Sequence, residues 1–396
     1  MIIKKTIKLL LSIISVLIRD FILKRKDLVV IQTNSLYRYC DNARYLYEYM
    51  HSRNGLTVYW DTESKQIYKN LLSKGYNVLQ HNSLKSYLTY LRARVVVGTG
   101  SYYPDFLKTV GRKTIKYCLY HGSGPKATIP TYDTISETLK EIYRYLKYDI
   151  MNATSEFDAV MRGKLALRFQ KSRLVINGYP RCDHLFDKDS VACICNKKKI
   201  SKSYFKDMDS SSKILLYAPT FRLSNFNLSF PMTMYEDFDM EKLNRFLKDN
   251  DMYMLVSNHP LVKRVDITDA ARVKFINTKK DPFFDINLLL PEVDMLIGDY
   301  STIHVEFAIL DRPQIYLMPD YNQYFWERGF LEDYRQNLAG KEAESFKDLL
   351  MIIEGYAKNP SSDSKLRKRL LDKYYDTRIK NSCEKNYLFV KKLMQK

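Results

Sequence analysis

Residues 285–321 read DINLLLPEVDMLIGDYSTIHVEFAILDRPQIYLMPDY. The apolar run 295–297 predicts a buried strand, and Gly298-Asp299-Tyr300-Ser301-Thr302 predicts a polar turn behind it. An amphipathic helix is expected next, then a second apolar strand over 314–318. In an α/β sheet such a turn sits at the carboxyl end of a strand and the amino end of a helix. Backbone N–H groups and the helix dipole point outward there, which makes a seat for phosphate. The stretch therefore predicts a parallel α/β fold and places an anionic ligand on Asp299 to Thr302.

The pattern extends outward from this stretch. Upstream, strand-like runs at 28–32, 56–60, 78–79, 94–98, 116–120 and 174–177 alternate with helical stretches such as 43–50 and 134–148. Residues 187–212 are polar and lysine-rich, with Lys197-Lys198-Lys199 and Ser210-Ser211-Ser212, and read as an interdomain link. Runs at 213–217, 254–256 and 273–276 restart the pattern, and the tail from Lys365 reads as helical and basic. At 396 residues the chain exceeds one ordinary core. The expected layout is a basic segment 1–27, a Rossmann-like domain 28–187, a linker 188–212 and a second Rossmann-like domain 213–396 carrying the C-terminal helices.

Composition narrows the partners. A formal charge of +19 suits nucleic acid, an anionic membrane surface or phosphate-rich substrates. The basic residues are dispersed and no nucleic-acid-binding motif stands out, so no nucleic-acid partner is expected. The six cysteines form no CxxC pair, and Cys193-Ile194-Cys195 is too tight for a zinc knuckle, so free thiols are expected. In MIIKKTIKLLLSIISVLIRDFILKRK (1–26) the charge-free run 9–18 is too short for a spanning helix, which needs about 20 residues. Arg19-Asp20-Phe21 is no signal-peptidase site. Lys4, Lys5 and Lys8 precede the run and Arg19, Lys24, Arg25 and Lys26 follow it, which suits an amphipathic helix lying on an anionic leaflet.

Polar clusters recur just after predicted strands: 121–126 (HGSGPK), 178–183 (GYPRCD), 217–222 (YAPTFR), His259-Pro260 and 299–302 (DYST) with Glu306 beyond it. Strand ends at the carboxyl edge of open α/β sheets converge on a ligand crevice. In chain order, these clusters resemble the motifs of the CDP-glycerol glycerophosphotransferase family, which primes and polymerises teichoic acids and some phosphate-linked capsules. Asp41-Asn42 and Glu327-Arg328-Gly329-Phe330 also have counterparts in that family. The resemblance runs from about Asn34 to Tyr334; each motif alone is weak, and the set in order is specific.

The resemblance implies a glycosyltransferase-B type fold, two Rossmann-like domains facing a cleft, with the acceptor on the first and the CDP-linked donor on the second. It implies transfer of a polyol phosphate from CDP-glycerol or CDP-ribitol to a hydroxyl of a lipid-linked or polymeric acceptor, with CMP leaving. It also implies a peripheral position on the cytoplasmic face of the membrane. His121 is the expected base, since an imidazole can take the acceptor's proton. His259 is expected to donate a hydrogen bond to a phosphate oxygen. Ser301 and Thr302, with Asp299 in the same turn, are expected to hold the diphosphate, Glu306 the ribose hydroxyls, and Arg222 the diphosphate in bidentate fashion. Lys126 and Arg181 are candidate phosphate or acceptor contacts, though Arg181 and Asp183 would also suit a mutual ion pair.

No cofactor and no required metal are expected. The DxD-like pairs Asp207/Asp209 and Asp237/Asp239 fall in polar loops or helix starts and read as capping carboxylates. Four departures stand out from the family pattern: Gly124-Pro125 before Lys126, Thr302 for Ser, Glu306 for Asp, and Leu338-Ala339-Gly340 for a Pro-Gly. They leave the polyol, the acceptor and the oligomeric state open. The competing readings are a nucleotide-sugar transferase of the same fold and a non-catalytic basic protein that binds membrane or nucleic acid.

Overall fold

The computed structural model describes residues 10, 13–14, 17–100, 110–111, 113–127, 147–168, 170, 173–187, 197–206, 208–222, 230–257, 270–276 and 281–395. Most of the expected helix 134–148 lies outside these residues, as do His259, Pro260 and Asp207.

Thirteen strands form two sheets among the described residues. The first holds β1 (Arg25–Ile31), β2 (Thr57–Thr62), β3 (Val78–Gln80), β4 (Ala93–Gly98), β5 (Ile115–Cys118), β6 (Ile150–Ala153) and β7 (Leu174–Ile176). Its order is β3-β2-β1-β4-β5-β6-β7, all parallel. The second holds β8 (Lys213–Ala218), β9 (Met252–Val256), β10 (Val273–Phe275), β11 (Met295–Gly298), β12 (Gln314–Leu317) and β13 (Lys341–Ala343), also parallel, in the order β10-β9-β8-β11-β12-β13. In each half the chain runs outward from the first strand and then jumps to its other side. The switch points, where loops part and a crevice opens, fall between β1 and β4 and between β8 and β11.

The sheets are apolar because both faces are covered. Val95, Val96 and Val97 in β4 are wholly buried, as are Leu215, Leu216 and Tyr217 in β8. Side chains alternate across the first sheet: Val29, Ile31, Val95 and Val97 meet Leu46 and Tyr47 on one face, while Val30 and Val96 meet Tyr87 and Tyr90 on the other. Each such residue is stabilised by about 1.5–3 kcal/mol through loss of water contact. A further cluster joins the halves, with Cys118, Tyr120 and Tyr179 of the first packed beside Leu216, Leu255 and Val305 of the second.

Two strands escaped the sequence reading. β6 carries Asn152, whose amide donates to the Gly178 carbonyl and whose oxygen accepts from the Asn177 N–H. β13 is a charged edge strand of three residues. Two expectations about layout also change. The stretch read as a polar link contains the helix Lys197–Tyr204, and Ile200, Phe205 and Met208 there are buried in the core. The final helix, Ser382–Met394, packs on the first sheet: Tyr387, Val390, Leu393 and Met394 join Val29 and Trp60. Asp183 fixes its start, accepting the Ser382 and Cys383 N–H groups at 2.7 and 2.8 Å. Its apolar spacing shows that the helix is covered, but not by which sheet.

At the N-terminus, Leu10, Ile13, Ile14, Leu17 and Ile18 are helical and exposed, and Phe21 and Leu23 are more than 80% exposed. No helix among the described residues is long and apolar enough to cross a membrane.

Candidate active site

Loops at the carboxyl edges of the two sheets face each other. β5 ends at Cys118, and Tyr120 then takes a left-handed backbone, φ +61°, which turns the chain toward the second half. That conformation costs a non-glycine residue roughly 1–2 kcal/mol, so neighbours must hold it. Asn42 does so, its amide donating to the Tyr120 carbonyl at 2.9 Å. The next residue is His121. Its Nδ1 lies 2.8 Å from the Thr99 carbonyl beyond β4. A carbonyl only accepts, so Nδ1 carries the hydrogen and Nε2 is left as the lone-pair nitrogen of the neutral ring. Burial is the largest influence on the imidazole and lowers its pKa; Asp41 opposes this, while Arg181 and Arg162 reinforce it.

His121 is followed by close contact with the turn that opened the sequence reading. A Cβ at Gly122 would collide with Thr302 Oγ1, and one at Gly124, φ +151°, would lie 3.5 Å from Val305 Cγ2. At Gly122 the close approach of the two loops requires glycine, whereas at Gly124 there is room for a Cβ and the positive φ is what favours glycine. Beyond Gly124 the loop docks on the late motif: Leu331 N–H donates to the Pro125 carbonyl at 2.7 Å, and Lys126 bridges Phe330 in antiparallel fashion. Lys126 Nζ sits 5.9 Å from the centre of the Tyr324 ring. Its pKa is pushed down to about 7, first by burial and then by Arg328. The Ser123 hydroxyl is fully buried and has no hydrogen-bond partner among the described residues.

On the second half, β8 and β11 end side by side, with Ala218 in register with Gly298. The wholly buried Asp299 ties both loops together, accepting the Thr220 N–H at 2.9 Å and the Tyr300 N–H at 2.6 Å. Arg222 is a strut here instead of the open fork expected. It donates to Asp299 at 2.6 Å, to both oxygens of Asp320 at 2.7 and 3.0 Å, and to the Thr220 carbonyl at 2.5 Å. Four of its five N–H groups are thereby engaged. Ser301 and Thr302 are half-buried at the surface of the turn, and Ser301 Oγ accepts the Ile303 N–H at a long 3.4 Å.

The helix behind the turn is not amphipathic as expected. It is the short segment Ile303–Phe307, and all five of its residues are buried because it is wedged between the halves. Glu306 is only 1% exposed and ion-pairs with Arg181 of the first half. Arg181 does not bridge to Asp183. It donates to Asp41 at 2.5 Å, to the His121 carbonyl at 2.7 Å, and to Glu306. His304, which the sequence reading passed over, stacks on Tyr316 with Nδ1 2.7 Å from Gln314; burial holds its pKa down at about 4.

A family model spans nearly the whole chain. The model described as CDP-Glycerol:Poly(glycerophosphate) glycerophosphotransferase covers residues 14–392. This chain belongs to that glycerophosphotransferase family. A teichoic acid glycerol-phosphate transferase of Staphylococcus aureus is 26% identical over 351 residues, 84% of each protein. A teichoic acid poly(glycerol phosphate) polymerase of Bacillus spizizenii is 24% identical over 84% of this chain and 82% of its own length. The teichoic acid ribitol-phosphate polymerase TarL of S. aureus is 30% identical over 191 residues, which are 48% of this chain and only about a third (32%) of TarL. Among solved structures, the wall teichoic acid polymerase TagF superposes with a TM-score of 0.77 at 18% identity, over 97% of this chain and 93% of that one. The fold is thus the two-sheet glycosyltransferase-B type expected.

In this glycerophosphotransferase chain the described carboxylates of the DxD-like pairs have local duties. Asp209 accepts the Ser211 and Ser212 N–H groups, Asp237 those of Phe346 and Lys347, and Asp239 those of Glu241 and Lys242. Among the described residues no group of three or more His, Cys, Asp or Glu side chains is placed to hold a metal ion. Described residues that the sequence reading left without a role are Asp41, Ser123 and Asp320. Asp320 lay within reach of that reading, because it follows β12 at the same carboxyl edge that drew attention to Asp299.

Proposed function

We propose that this protein transfers a polyol phosphate, most simply glycerol phosphate, from a CDP-linked donor to a hydroxyl of a lipid-linked or polymeric acceptor. The acceptor oxygen attacks the phosphorus that bears the polyol. The bond from that phosphorus to the bridging oxygen breaks, and CMP leaves with the electron pair. The hydroxyl proton passes to His121 Nε2. One observation carries this reading: a neutral imidazole with Nδ1–H committed to Thr99 stands one residue from the loop's contact with Thr302.

In this reading the first half carries the acceptor and the second the donor. Ser301 and Thr302 bind the diphosphate, and Glu306 receives the ribose hydroxyls on the carboxylate it shares with Arg181. Asp299 and Arg222 brace the loops that frame the donor. Lys126, poised near neutrality, gains a proton beside the diphosphate, and His259 polarises a phosphate oxygen. The protein rests on the cytoplasmic face of the membrane through the exposed apolar side chains of its N-terminal helix. That placement draws on the apolar stripe itself and on the basic residues around it.

The test is incubation with CDP-glycerol and with CDP-ribitol, following CMP release and the mass of an added lipid-linked acceptor. The wild type should release CMP with one of them, and His121→Ala should lose about 10²–10⁴ in rate. Binding of CDP to that variant should stay within about threefold, since the base acts on the acceptor's proton. Release of a nucleoside diphosphate from a sugar donor would replace this reading with sugar transfer.

A further inference from the structure

The GYPRCD cluster holds a buried cation whose bonds run to the base loop and to the donor half together. The Arg181 backbone N–H donates to Asn42 Oδ1 at 3.2 Å, while the amide of the same Asn42 donates to the Tyr120 carbonyl. The Arg181 guanidinium donates to the His121 carbonyl at 2.7 Å and to Asp41 at 2.5 Å, and reaches across to Glu306. Asp41 in turn gives its own N–H to Asp285 of the second half at 2.9 Å. The carbonyl of the left-handed Tyr120 and that of His121 after it are therefore both pinned. One Asn–Arg unit holds them, anchored in both halves.

We propose that Arg181 is the positioning residue for His121, and that through Glu306 it ties the placement of the base to the donor half. The cluster also has the right charge. Asp41, held by the same guanidinium, is the carboxylate that acts on the ring and favours the imidazolium formed when the acceptor's proton arrives, against Arg181 and Arg162. A ribose hydroxyl donating to Glu306 would share the carboxylate that steers Arg181, so donor arrival is felt at the His121 carbonyl. The inference rests on the reading of His121 as the base.

The experiment compares wild type with Arg181→Lys, which keeps the charge but loses the fork, and Arg181→Gln, which loses both. Proteins labelled with ¹⁵N-histidine are followed by NMR, the His121 signals being those lost in His121→Gln. Wild type should show the neutral Nδ1–H tautomer. Arg181→Lys should lose that fixed tautomer signature, and its kcat for CMP release should fall about tenfold or more with donor KM within about threefold. In Arg181→Gln the His121 titration should move up in pH. The groups facing the ring are Asp41, which raises its pKa, and Arg181 and Arg162, which lower it, so removing Arg181 leaves Asp41 less opposed. Unchanged His121 signals in folded Arg181→Lys overturn the proposal, as does a rise in KM at constant kcat. If wild type releases no CMP from either donor, the functional reading fails, and the NMR comparison still decides whether Arg181 positions His121.

Discussion

Which nitrogen of His121 holds the proton decides whether the residue can act as a base, and a carbonyl 22 residues away decides the nitrogen. The His-Gly pair was legible as a candidate because it follows a predicted strand. Its tautomer was not, since Thr99 lies at the end of a neighbouring strand. The pH dependence follows with a definite sign. A base works when deprotonated, and burial lowers the His121 pKa from 6.5. The acid limb of kcat/KM should therefore have its midpoint below 6.5, to be checked in a pH series of CMP release at subsaturating donor. A midpoint above 6.5 would remove His121 from that role. Arg222 shows the opposite failure of local reading. A lone arginine after a strand suggests an anion clamp, yet Asp299 and Asp320 neutralise it. Replacing Asp320 by Ala leaves a buried guanidinium short of a partner and should cost about 3 kcal/mol. A fall in melting temperature, larger than that of Asp320→Asn, is the measurement.

Among the elements, strands were easiest to read and helix partners hardest. Continuous apolar runs mark strands buried on both faces, which is why β4, β8 and β11 stood out. β6 and β13 were missed because Asn152 and the charged edge residues of β13 break that pattern. The segment Ile303–Phe307 looked amphipathic because His304 and Glu306 are polar. Both are buried and paired, His304 through Nδ1 with Gln314 of its own half and Glu306 with Arg181 of the other. Near the N-terminus Leu10, Ile14, Leu17 and Phe21 are exposed at helical spacing. A triple change, Ile14→Asp, Leu17→Asp and Phe21→Asp, should abolish flotation with phosphatidylglycerol vesicles. CMP release to a soluble acceptor should remain within about twofold, because these side chains lie outside the site. Undiminished flotation would place membrane contact elsewhere.

The molecule as a whole works by bringing strand-end loops of its two sheets together, and Gly122, after β5, is where one of them touches the turn after β11. Gly122→Ala should push Thr302 away, open the cleft and reduce turnover about tenfold or more. Pairing it with Thr302→Ala, which removes the colliding oxygen along with a diphosphate-binding hydroxyl, should recover part of the loss in kcat at saturating donor while donor KM rises. A double variant no better than the single one would count against steric contact as the cause. The sequence by itself determined two parallel sheets, the ordered motifs at their carboxyl edges and thereby the family, because apolar periodicity and strand-end polarity are local signals. Only the tertiary structure decided that Arg222 is a strut, that Glu306 faces Arg181 and that the last helix covers the first sheet. Those outcomes depend on which charges and apolar faces meet once the whole chain is folded. Residues such as Arg181 and Glu306 lie 125 positions apart, and no local pattern records that they are neighbours.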